Sequence, residues 1–436
     1  MNIVLESAVG GFNDALGMPD SYYAATANSS VPAPTLESEI ETDVCVIGGG
    51  VTGLSAALHA RARGYSVVLV EGGRVGWGAS GRNGGQMIPG LRLGATELIA
   101  RYGADDARRL FNLTLEARAL THELIARHAI QCDVKDTGHL LLAARVRDLP
   151  AMHAEAHALN VTMRYAQARM LSYQETHHEV GSPLYHGALL DEGGGHFHPL
   201  NYTLGLADAA RKAGVKIYEH SPIRIEPREK GVFARAPRGA VKARYGVLAC
   251  DAQVGEADPR FVGAVMPVAN YLCATAPLKQ PKLLIMKDRA MSDSRFVVNY
   301  FRLTPDGRML FGGGERYSPR PPQDIAAFAS RHMARVFPSL ANERIDYAWG
   351  GLVSITTSRL PQLGRNGDLF YAHGYSGQGV LLSGLAGKLI SEAMAGTAER
   401  FDLLAGVAPE PFPGGAALRD PLYVLGMVYY ALRDRL

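Results

Sequence analysis

The sequence predicts a mixed α/β protein with two domains: a discontinuous domain built on a parallel sheet, and a second domain built on an antiparallel sheet with helices on one face. Three observations predict this architecture. The chain has 436 residues, which is long for one simple core. Strand–turn–helix patterns occur near its start, in its middle and near its end. Two blocks of a different pattern separate them, as expected when a second domain is inserted into the first.

A glycine-rich turn near the N-terminus is the strongest local pattern. The apolar run 44–47 leads into Gly48, Gly50 and Gly53, which have G-x-G-x-x-G spacing, and an Ala- and Leu-rich helical pattern follows. A second apolar run ends in Glu71, about 20 residues on, where a carboxylate can accept from ribose hydroxyls. The glycines permit the tight turn and a close approach of the backbone to a pyrophosphate. The pattern predicts a Rossmann-like domain that binds an adenine dinucleotide, either NAD or FAD.

Helices are predicted where apolar residues recur at three- and four-residue steps. The stretch 95–128 has this spacing of Leu, Ile and Phe. Another helix is predicted to begin at Pro199, because proline suits a first turn, and to stop at Gly214. The remaining predicted helices are 149–160, 322–337 and 381–394.

Apolar runs predict the strands of both sheets. In the first domain the later runs are 215–218, 246–249 and 369–372, and the alternating stretch 223–244 predicts a small antiparallel layer. In the second domain the runs are 136–143, 265–275, 296–303, 308–313 and 345–356. The turn Pro305-Asp306-Gly307 is typical of a hairpin and predicts antiparallel pairing there.

These elements predict a division of the chain into an arm, two interleaved domains and a tail. The predicted divisions are an N-terminal arm (1–40), a nucleotide domain (41–95, 190–260 and 350–405), a substrate domain (96–189 and 261–349) and a C-terminal tail (406–436).

Composition and charge exclude several function classes. The formal charge is +3 and the arginines are scattered, so nothing indicates nucleic-acid binding. The four cysteines form no C-x-x-C pair, and Cys45, Cys250 and Cys273 lie in apolar runs, which predicts core thiols and no metal site. No apolar run approaches the ~20 residues that span a bilayer, and the start lacks a secretory pattern. We therefore expect a cytoplasmic protein without membrane partners.

A second glycine cluster favours FAD over NAD. Gly374, Gly377 and Gly379 lie between a predicted strand and a predicted helix. A helix N-terminus at this position can stabilise the negative charge of a reduced flavin. A nicotinamide enzyme needs neither this cluster nor the long loop that follows Glu71. The predicted FAD contacts are Gly48, Gly50, Val51, Thr52, Gly53, Glu71, Gly72, Arg74, Ala79, Ser80, Arg82, Asn83, Gly84, Gly85, Gln86, Ile223, Cys250, Gly374, Tyr375, Ser376, Gly377, Gln378, Gly379 and Val380.

Motifs spread over nearly the whole chain carry a family resemblance. They are SYYAATAN (21–28), DVCVIGGGVTGLSAALH, GWGASGRNGGQ, GGGHFHPLN (193–201), YFRLTPDGRMLFGGG (300–314), SRLPQLGR (358–365), GYSGQGV, PFPGG (411–415) and the final YYALRDRL. On these residues the chain resembles the D-amino-acid-oxidase-like superfamily of FAD oxidoreductases, and within it the γ-glutamylputrescine oxidases.

The resemblance implies a flavin amine oxidase with one departure from the family pattern. The γ-glutamylputrescine oxidases oxidise a primary amine to an aldehyde and release ammonia and hydrogen peroxide in polyamine breakdown. Some relatives attach FAD covalently through a His near the first loop or a Cys late in the chain. Because this chain has no His between His59 and His122 and no Cys after Cys273, the resemblance implies non-covalent FAD. Relatives usually have Gly or Asn where this chain has Cys250 and Asp251, which puts the fit at that strand end in question.

Six side chains are candidates for the reacting half of the site. Tyr300, Trp349 and Tyr375 are candidates for an aromatic wall that would desolvate the amine, with ordinary core packing as the alternative. His373 adjoins the second glycine cluster and is a candidate for the flavin edge, or for a structural role.

The two remaining candidates are arginines. Arg302 and Arg359 are candidates for a substrate carboxylate, although solvated or sheet-rim arginines are the favoured alternative. His196 and His198 have no acid or third His at ligand spacing beside them, so these histidines are expected to cap the helix that begins at Pro199 rather than to bind a metal. No metal is predicted.

Two other functions stay open at this point. One is an FAD oxidase or dehydrogenase of a small amino acid, such as glycine, an N-methyl amino acid or a D-amino acid. The other is a flavin-binding protein with little catalysis. In the leading hypothesis the partners are a small-molecule amine and oxygen, and the sequence does not predict the oligomeric state.

Overall fold

The computed structural model describes residues 17–226, 228–314, 322–407, 411–414 and 421. The predicted mixed α/β class is confirmed, and two large sheets dominate the molecule. The helices in this part of the chain are α1 (Tyr22–Ala25), α2 (Val51–Ala62), α3 (Ala95–Arg127), α4 (Leu149–Val161), α5 (Tyr173–Glu179), α6 (Pro199–Lys212), α7 (Val254–Ala257), α8 (Ile325–Val336), α9 (Gly379–Met394) and α10 (Glu399–Ala405).

The strands come from every part of the described chain. They are β1 (Glu39–Ile47), β2 (Val67–Val70), β3 (Gln86–Met87), β4 (His139–Leu142), β5 (Ala168–Leu171), β6 (Ala188–Asp191), β7 (Gly195–His196), β8 (Lys216–Tyr218), β9 (Arg224–Glu226), β10 (Val232–Arg235), β11 (Ala240–Leu248), β12 (Met266–Thr275), β13 (Ala290–Asp293), β14 (Tyr300–Leu303), β15 (Met309–Gly312), β16 (Ile345–Ile355), β17 (Gln362–Asn366) and β18 (Leu369–His373).

The first sheet has a parallel core. Its order is β17-β18-β11-β1-β2-β8, and β18, β11, β1, β2 and β8 pair in parallel. The residues of β2 are all buried, as expected for a parallel strand that is covered on both faces. β9 and β10 extend β11 as an antiparallel layer, where the alternating pattern of 223–244 predicted one. The first sheet is thus assembled from distant segments of the chain.

Two helices of this domain pack unusually closely. The Cβ that alanine would add at Gly387 of α9 would lie 2.3 Å from the Thr52 carbonyl oxygen of α2 and 2.6 Å from the Ala56 nitrogen. At Gly384, one turn earlier, an added Cβ would lie 3.8 Å from the nearest atom, which is an ordinary contact. The backbone of α9 therefore approaches α2 at Gly387 to a distance that excludes any side chain.

The second sheet is mostly antiparallel. Its order is β16-β12-β15-β14-β13-β4-β6-β5, and within it β13 and β4 pair in parallel. α8 packs on β12, β15 and β16, and its buried residues Ala329, Met333 and Val336 join the core beneath the sheet. β6 and β16 run across the predicted domain limits at 189 and 349, so the exact limits remain a prediction.

Two local predictions differ from the structure. The strand expected over 296–303 begins at Tyr300, because the Asp293 carboxylate accepts from both the backbone and the side chain of Asn299 and bends the preceding chain. The N-terminal arm, in which no helix was predicted, contains α1, whose Ser21 cap accepts from the Ala24 amide at 3.1 Å. Both differences arise from polar side chains that rearrange a short stretch of backbone.

Two of the sequence motifs lie partly or wholly outside the residues that the structure describes. The YYALRDRL motif and the final glycine of PFPGG lie outside the described residues. Within them, none of the helices combines the length and apolar character that crossing a lipid bilayer requires.

The close approach of α2 and α9 gives a paired prediction. Gly387→Ala should lower the free energy of unfolding by about 1–3 kcal/mol, because the added methyl group overpacks the helix contact. Gly384→Ala, in the same helix, should leave stability unchanged or raise it by up to about 1 kcal/mol, since alanine favours helix. Chemical denaturation of the two variants measures this. Equal stabilities would contradict the packing at Gly387.

Candidate active site

One large cavity is lined by residues of both sheets. Its volume is about 1120 Å³. Its walls are the turn between β1 and α2, the end of β2, the loop 72–86, the end of β11, the start of α9 and one face of the second sheet. In the first sheet these features all lie at the carboxyl ends of parallel strands, which is where such sheets bind ligands.

The first glycine turn is packed so tightly that side chains are excluded. Gly48 has φ +112°, and an added Cβ would lie 2.5 Å from the Ala249 carbonyl oxygen. An added Cβ at Gly53 would lie 2.0 Å from the Gly48 oxygen. Gly48 lines the cavity, while Gly53 lies beneath the turn, where it allows the helix to pack on the strand.

Glu71 is held with its carboxylate at the cavity. Its two oxygens accept from the backbone amides of Gly49, at 2.6 Å, and Gly73, at 2.8 Å. Burial raises the pKa of Glu71, with the two amides opposing that effect. The carboxylate has further lone pairs that can accept from ribose hydroxyls, as predicted for this position.

The loop that follows Glu71 is fixed by side chains that cross between the sheets. Arg82 donates to the carbonyl oxygens of Trp77, at 2.6 Å, and Gly350, at 3.1 Å, and its guanidinium carbon lies 4.6 Å from the centroid of the Trp77 ring. In return, the Trp349 indole nitrogen donates to the Arg82 carbonyl oxygen at 2.9 Å. Trp349 is 2% exposed and does not line the cavity, so the structure places it behind the wall.

Arg302 also holds the loop 72–86 in place. Its guanidinium donates to the Gly84 carbonyl oxygen at 2.8 Å, and to the Phe197 carbonyl oxygen and the Tyr23 hydroxyl at 3.1 Å each. The side chain is 2% exposed and does not line the cavity, so the structure does not bring it to a substrate carboxylate. Arg302 instead ties β14 and the N-terminal arm to the loop.

The second glycine cluster forms the opposite wall. Gly374 has φ +73°, and its amide donates to the Asp251 carboxylate at 3.0 Å. The Tyr375 hydroxyl and the Thr52 hydroxyl lie 2.8 Å apart, which joins this wall to α2. Gly377 has φ +90° and nothing lies within 4 Å of an added Cβ, so its backbone faces open cavity.

The helices α2 and α9 both begin at this cavity. α2 is preceded by Gly50 and α9 by Gln378, and neither N-cap provides a side-chain hydrogen bond within the described structure. The Val51 amide at the start of α2 donates to the Ser80 hydroxyl at 3.0 Å, and the positive end of each helix dipole attracts anionic groups. One therefore suits a pyrophosphate and the other the negative edge of a flavin. With the glycine turn and Glu71, this donor set fits FAD.

The predicted FAD contacts divide into lining residues and supporting residues. Those that line the cavity are Gly48, Gly50, Val51, Thr52, Glu71, Gly72, Ala79, Ser80, Arg82, Asn83, Gly84, Gln86, Ile223, Cys250, Tyr375, Ser376, Gly377, Gln378, Gly379 and Val380. Gly53, Arg74, Gly85 and Gly374 do not line it. Arg74 contributes its carbonyl oxygen to the Trp77 amide, and Gly85 packs against the Phe197 carbonyl oxygen.

The second sheet supplies a wall that the sequence reasoning missed. Met266, Val268, Asn270 and Leu272 alternate along β12 and all line the cavity. On β16, Gly351, Val353 and Ile355 pair with Asn270, Val268 and Met266 and continue the same face. No alternation of apolar and polar residues in 266–272 marks this face, because both faces of the strand are mostly apolar, so the pairing with β16 was needed to find the wall.

Tyr300 lines this wall beside Gly84. An added Cβ at Gly84 would lie 2.8 Å from the Tyr300 ring, so the ring rests on the loop. Burial raises the pKa of Tyr300, which keeps the phenol neutral. Tyr375 also lines the cavity, and burial raises its pKa in the same way.

His373 points away from the cavity. Its Nε2 lies 2.9 Å from the Gln362 side-chain oxygen, and its ring stacks on Tyr371 and packs edge-on against Phe261. Burial lowers the pKa of His373 to about 3. As the last residue of β18 it faces the interior of the first sheet, so the structure does not bring it to the flavin edge.

The cysteines and histidines have structural positions. Cys45 and Cys273 are buried as predicted, whereas Cys250 is half-buried and faces the cavity with its thiol donating to the Ile47 carbonyl oxygen. His198 caps α6 by accepting from the Asn201 amide, which confirms that prediction. Within the described residues, no group of His, Cys, Asp or Glu could hold a metal ion.

Asp251 gives a prediction about pH. Burial raises its pKa from 3.8 to about 6. Because the folded pKa exceeds the unfolded one, the charged carboxylate costs stability as pH rises through this window, and the cost is complete above pH 6. Asp251→Asn keeps the acceptor for Gly374, so it should be more stable than the native protein above that pH, by at most about 3 kcal/mol, with no advantage below about pH 4.

Denaturation curves of the FAD-saturated proteins at several pH values measure this difference. Asp368→Asn is the matched control, because Asp368 also accepts from a glycine amide, that of Gly231, but lies away from the cavity. Equal stability of Asp251→Asn and the native protein at about pH 8 would contradict the prediction.

Comparison with known proteins gives a consistent result. The family model described as FAD dependent oxidoreductase, DAO, matches residues 43–393. A γ-glutamylputrescine oxidoreductase of Escherichia coli is 40% identical over 95% of this chain and 98% of that protein. A probable oxidoreductase OrdL of Haemophilus influenzae is 37% identical over 95% of this chain and 97% of that protein.

Solved structures show the same fold. Glycine oxidase from Geobacillus kaustophilus superimposes with a TM-score of 0.69 at 22% identity, over 81% of this chain and 94% of that one. The L-proline dehydrogenase from P. horikoshii gives 0.66 at 18% identity, over 84% and 94%. With a family model that spans most of the chain and a cavity that fits FAD, this protein belongs to the DAO family of FAD-dependent oxidoreductases.

Proposed function

We propose that the protein oxidises the primary amine of a γ-glutamylputrescine-like substrate in polyamine catabolism, with oxygen as the acceptor. In the balanced reaction, amine, oxygen and water give an aldehyde, ammonia and hydrogen peroxide. One observation carries this proposal: the cavity continues from the FAD cradle along a mostly apolar wall that also bears the basic side chain of Arg359. The 40% identical relative named γ-glutamylputrescine oxidoreductase supports the same substrate class.

The wall favours the neutral amine, which is the form that can be oxidised. Met266, Val268 and Leu272 line the cavity, and a desolvated pocket lowers the pKa of an ammonium group. The Tyr300 phenol stays neutral and cannot take up the proton of the ammonium group. FAD, when bound, would supply the acceptor for a hydride from the carbon beside the nitrogen, which would leave an imine. Water then hydrolyses the resulting imine.

The residues that line the cavity support non-covalent attachment of FAD. Among the described residues that line the cavity there is no histidine, and Cys250 is the cysteine that faces it. Burial raises the pKa of the Cys250 thiol, so it stays protonated and a poor nucleophile. Gly48, Glu71 and the N-termini of α2 and α9 would hold the cofactor through hydrogen bonds and helix dipoles.

Arg359 is the candidate for the glutamyl carboxylate. Its side chain lines the cavity with its guanidinium carbon 4.9 Å from the centroid of the Phe296 ring, and the ring lines the cavity as well. A guanidinium forms strong bidentate hydrogen bonds with carboxylates. Arg359 lines the cavity and Arg302 does not, which supports Arg359 as the partner of the carboxylate.

The proposed substrate class is tested by anaerobic flavin reduction. We expect γ-glutamylputrescine to bleach the bound flavin about 100-fold faster than glycine or sarcosine at equal concentration, because the site would be built for a long primary amine. Admission of air should then release hydrogen peroxide. Bleaching by glycine or sarcosine but by no diamine would replace this function with amino-acid oxidation, and a flavin that stays oxidised with every amine would indicate a binding protein.

The role of Arg359 is tested by two substrates. Arg359→Met should raise KM for γ-glutamylputrescine about 10–100-fold, the value of a charged hydrogen bond, and leave KM for free putrescine unchanged. Arg365→Met is the matched control, since this arginine is exposed on β17 in the same sequence motif. An equal rise in KM for both substrates would show that Arg359 supports the wall and not the carboxylate.

A further inference from the structure

Tyr300 is held in a slot between two glycines. On one side lies Gly84 of the loop, and on the other Gly312 of β15, where an added Cβ would be 2.1 Å from the Tyr300 Cζ. Tyr300 and Gly312 are paired across the strands, so the ring lies flat over the glycine towards β12. No side chain larger than hydrogen fits at either position without displacing the ring.

The hydroxyl group is fixed as firmly as the ring. Tyr300 Oη donates to the side-chain oxygen of Asn270 at 2.5 Å. On the face of β12 that lines the cavity, Asn270 is the polar residue among the apolar residues Met266, Val268 and Leu272. A polar group on an apolar wall costs free energy unless it is hydrogen-bonded, and here the two polar side chains satisfy each other.

The hydrogen bond to Asn270 uses the phenol proton of Tyr300 and leaves the phenol oxygen as an acceptor. A phenol has one proton and accepts through its oxygen. With the proton directed to Asn270, the oxygen remains an acceptor, and both Tyr300 and Asn270 line the cavity. The raised pKa of Tyr300 means that the oxygen never becomes a phenolate, so it accepts hydrogen bonds without taking up a proton.

We propose that Asn270 is a positioning residue that holds the Tyr300 oxygen as the acceptor for an N–H of the substrate amine, so that the site prefers primary over tertiary amines. The inference rests on the proposed amine oxidation and adds the group that recognises the nitrogen. A primary amine can donate an N–H to this oxygen while its lone pair stays free for oxidation. A tertiary amine has no N–H and leaves the oxygen unpaired, which costs binding free energy.

The test compares two amines with the same chain, butylamine and N,N-dimethylbutylamine, in anaerobic reduction of the FAD-loaded enzyme. We expect Asn270→Ala and Tyr300→Phe each to reduce the ratio of the two rates about tenfold, as for loss of one hydrogen bond. The double variant should show no further loss, because both changes remove the same interaction. Gly312→Ala should reproduce the loss by displacing the ring. Asn112→Ala, at an exposed position of α3, is the matched control.

Binding gives a readout that does not depend on turnover. tert-Butylamine is a primary amine without a hydrogen on the reacting carbon, so it binds without being oxidised. Its Kd, from the change in flavin absorbance, should rise about tenfold in Asn270→Ala and in Tyr300→Phe.

The outcomes separate this inference from the proposed function. Additive effects in the double variant, or an unchanged amine ratio and Kd in Asn270→Ala, overturn the role of Asn270 while amine oxidation stands. A lower melting temperature of Asn270→Ala with an unchanged ratio assigns Asn270 to stability and also overturns it. If no amine reduces the flavin of the native enzyme, the proposed function fails and this inference falls with it.

Discussion

The hydrogen bonds that tie the loop 72–86 to the second sheet are the constraint on which the cavity depends. The carbonyl oxygens of Arg82 and Gly84 accept from Trp349 and Arg302, and the Arg82 guanidinium reaches back to Gly350. These groups are buried, so a broken bond would leave a cation or a carbonyl unpaired at a cost of several kcal/mol. The loop therefore cannot move independently of the second sheet. These hydrogen bonds hold the loop beside the cavity wall that the second sheet supplies.

The electrostatics of the cavity follow from this fixed geometry. Two helix N-termini provide positive partial charge, while Glu71 and Asp251 place carboxylates nearby. Both carboxylates accept backbone amides, and burial raises the pKa of both. Buried carboxylates with amide donors are tolerated because the amides offset part of the desolvation cost. The site thus combines anion-attracting helix ends with acids that are held by the backbone.

The sequence alone predicted features that depend on neighbouring residues in the chain. It did not predict the roles of side chains whose partners are distant in the chain. Gly48 and Gly377 were predicted to line the site because glycine patterns report on the local backbone, and the same holds for the His198 cap. The roles of Arg302 and His373 were not predictable in this way. Whether Arg302 meets a ligand or donates to two carbonyl oxygens and a hydroxyl depends on the distant residues 84, 197 and 23, which no local pattern specifies.

The division between the two sheets explains why the cofactor is easier to infer than the substrate. FAD binding uses backbone amides and glycines, so its requirements appear as a motif in a few adjacent positions. The substrate wall uses one face of β12, β14 and β16, and its residues are separated by tens of positions in the chain. Any row of mostly apolar side chains on one face of a sheet would build such a wall. The proposed recognition of the substrate therefore depends on a few polar groups at the cavity: Asn270 and Tyr300, which the cross-strand register brings together, and Arg359 from a loop.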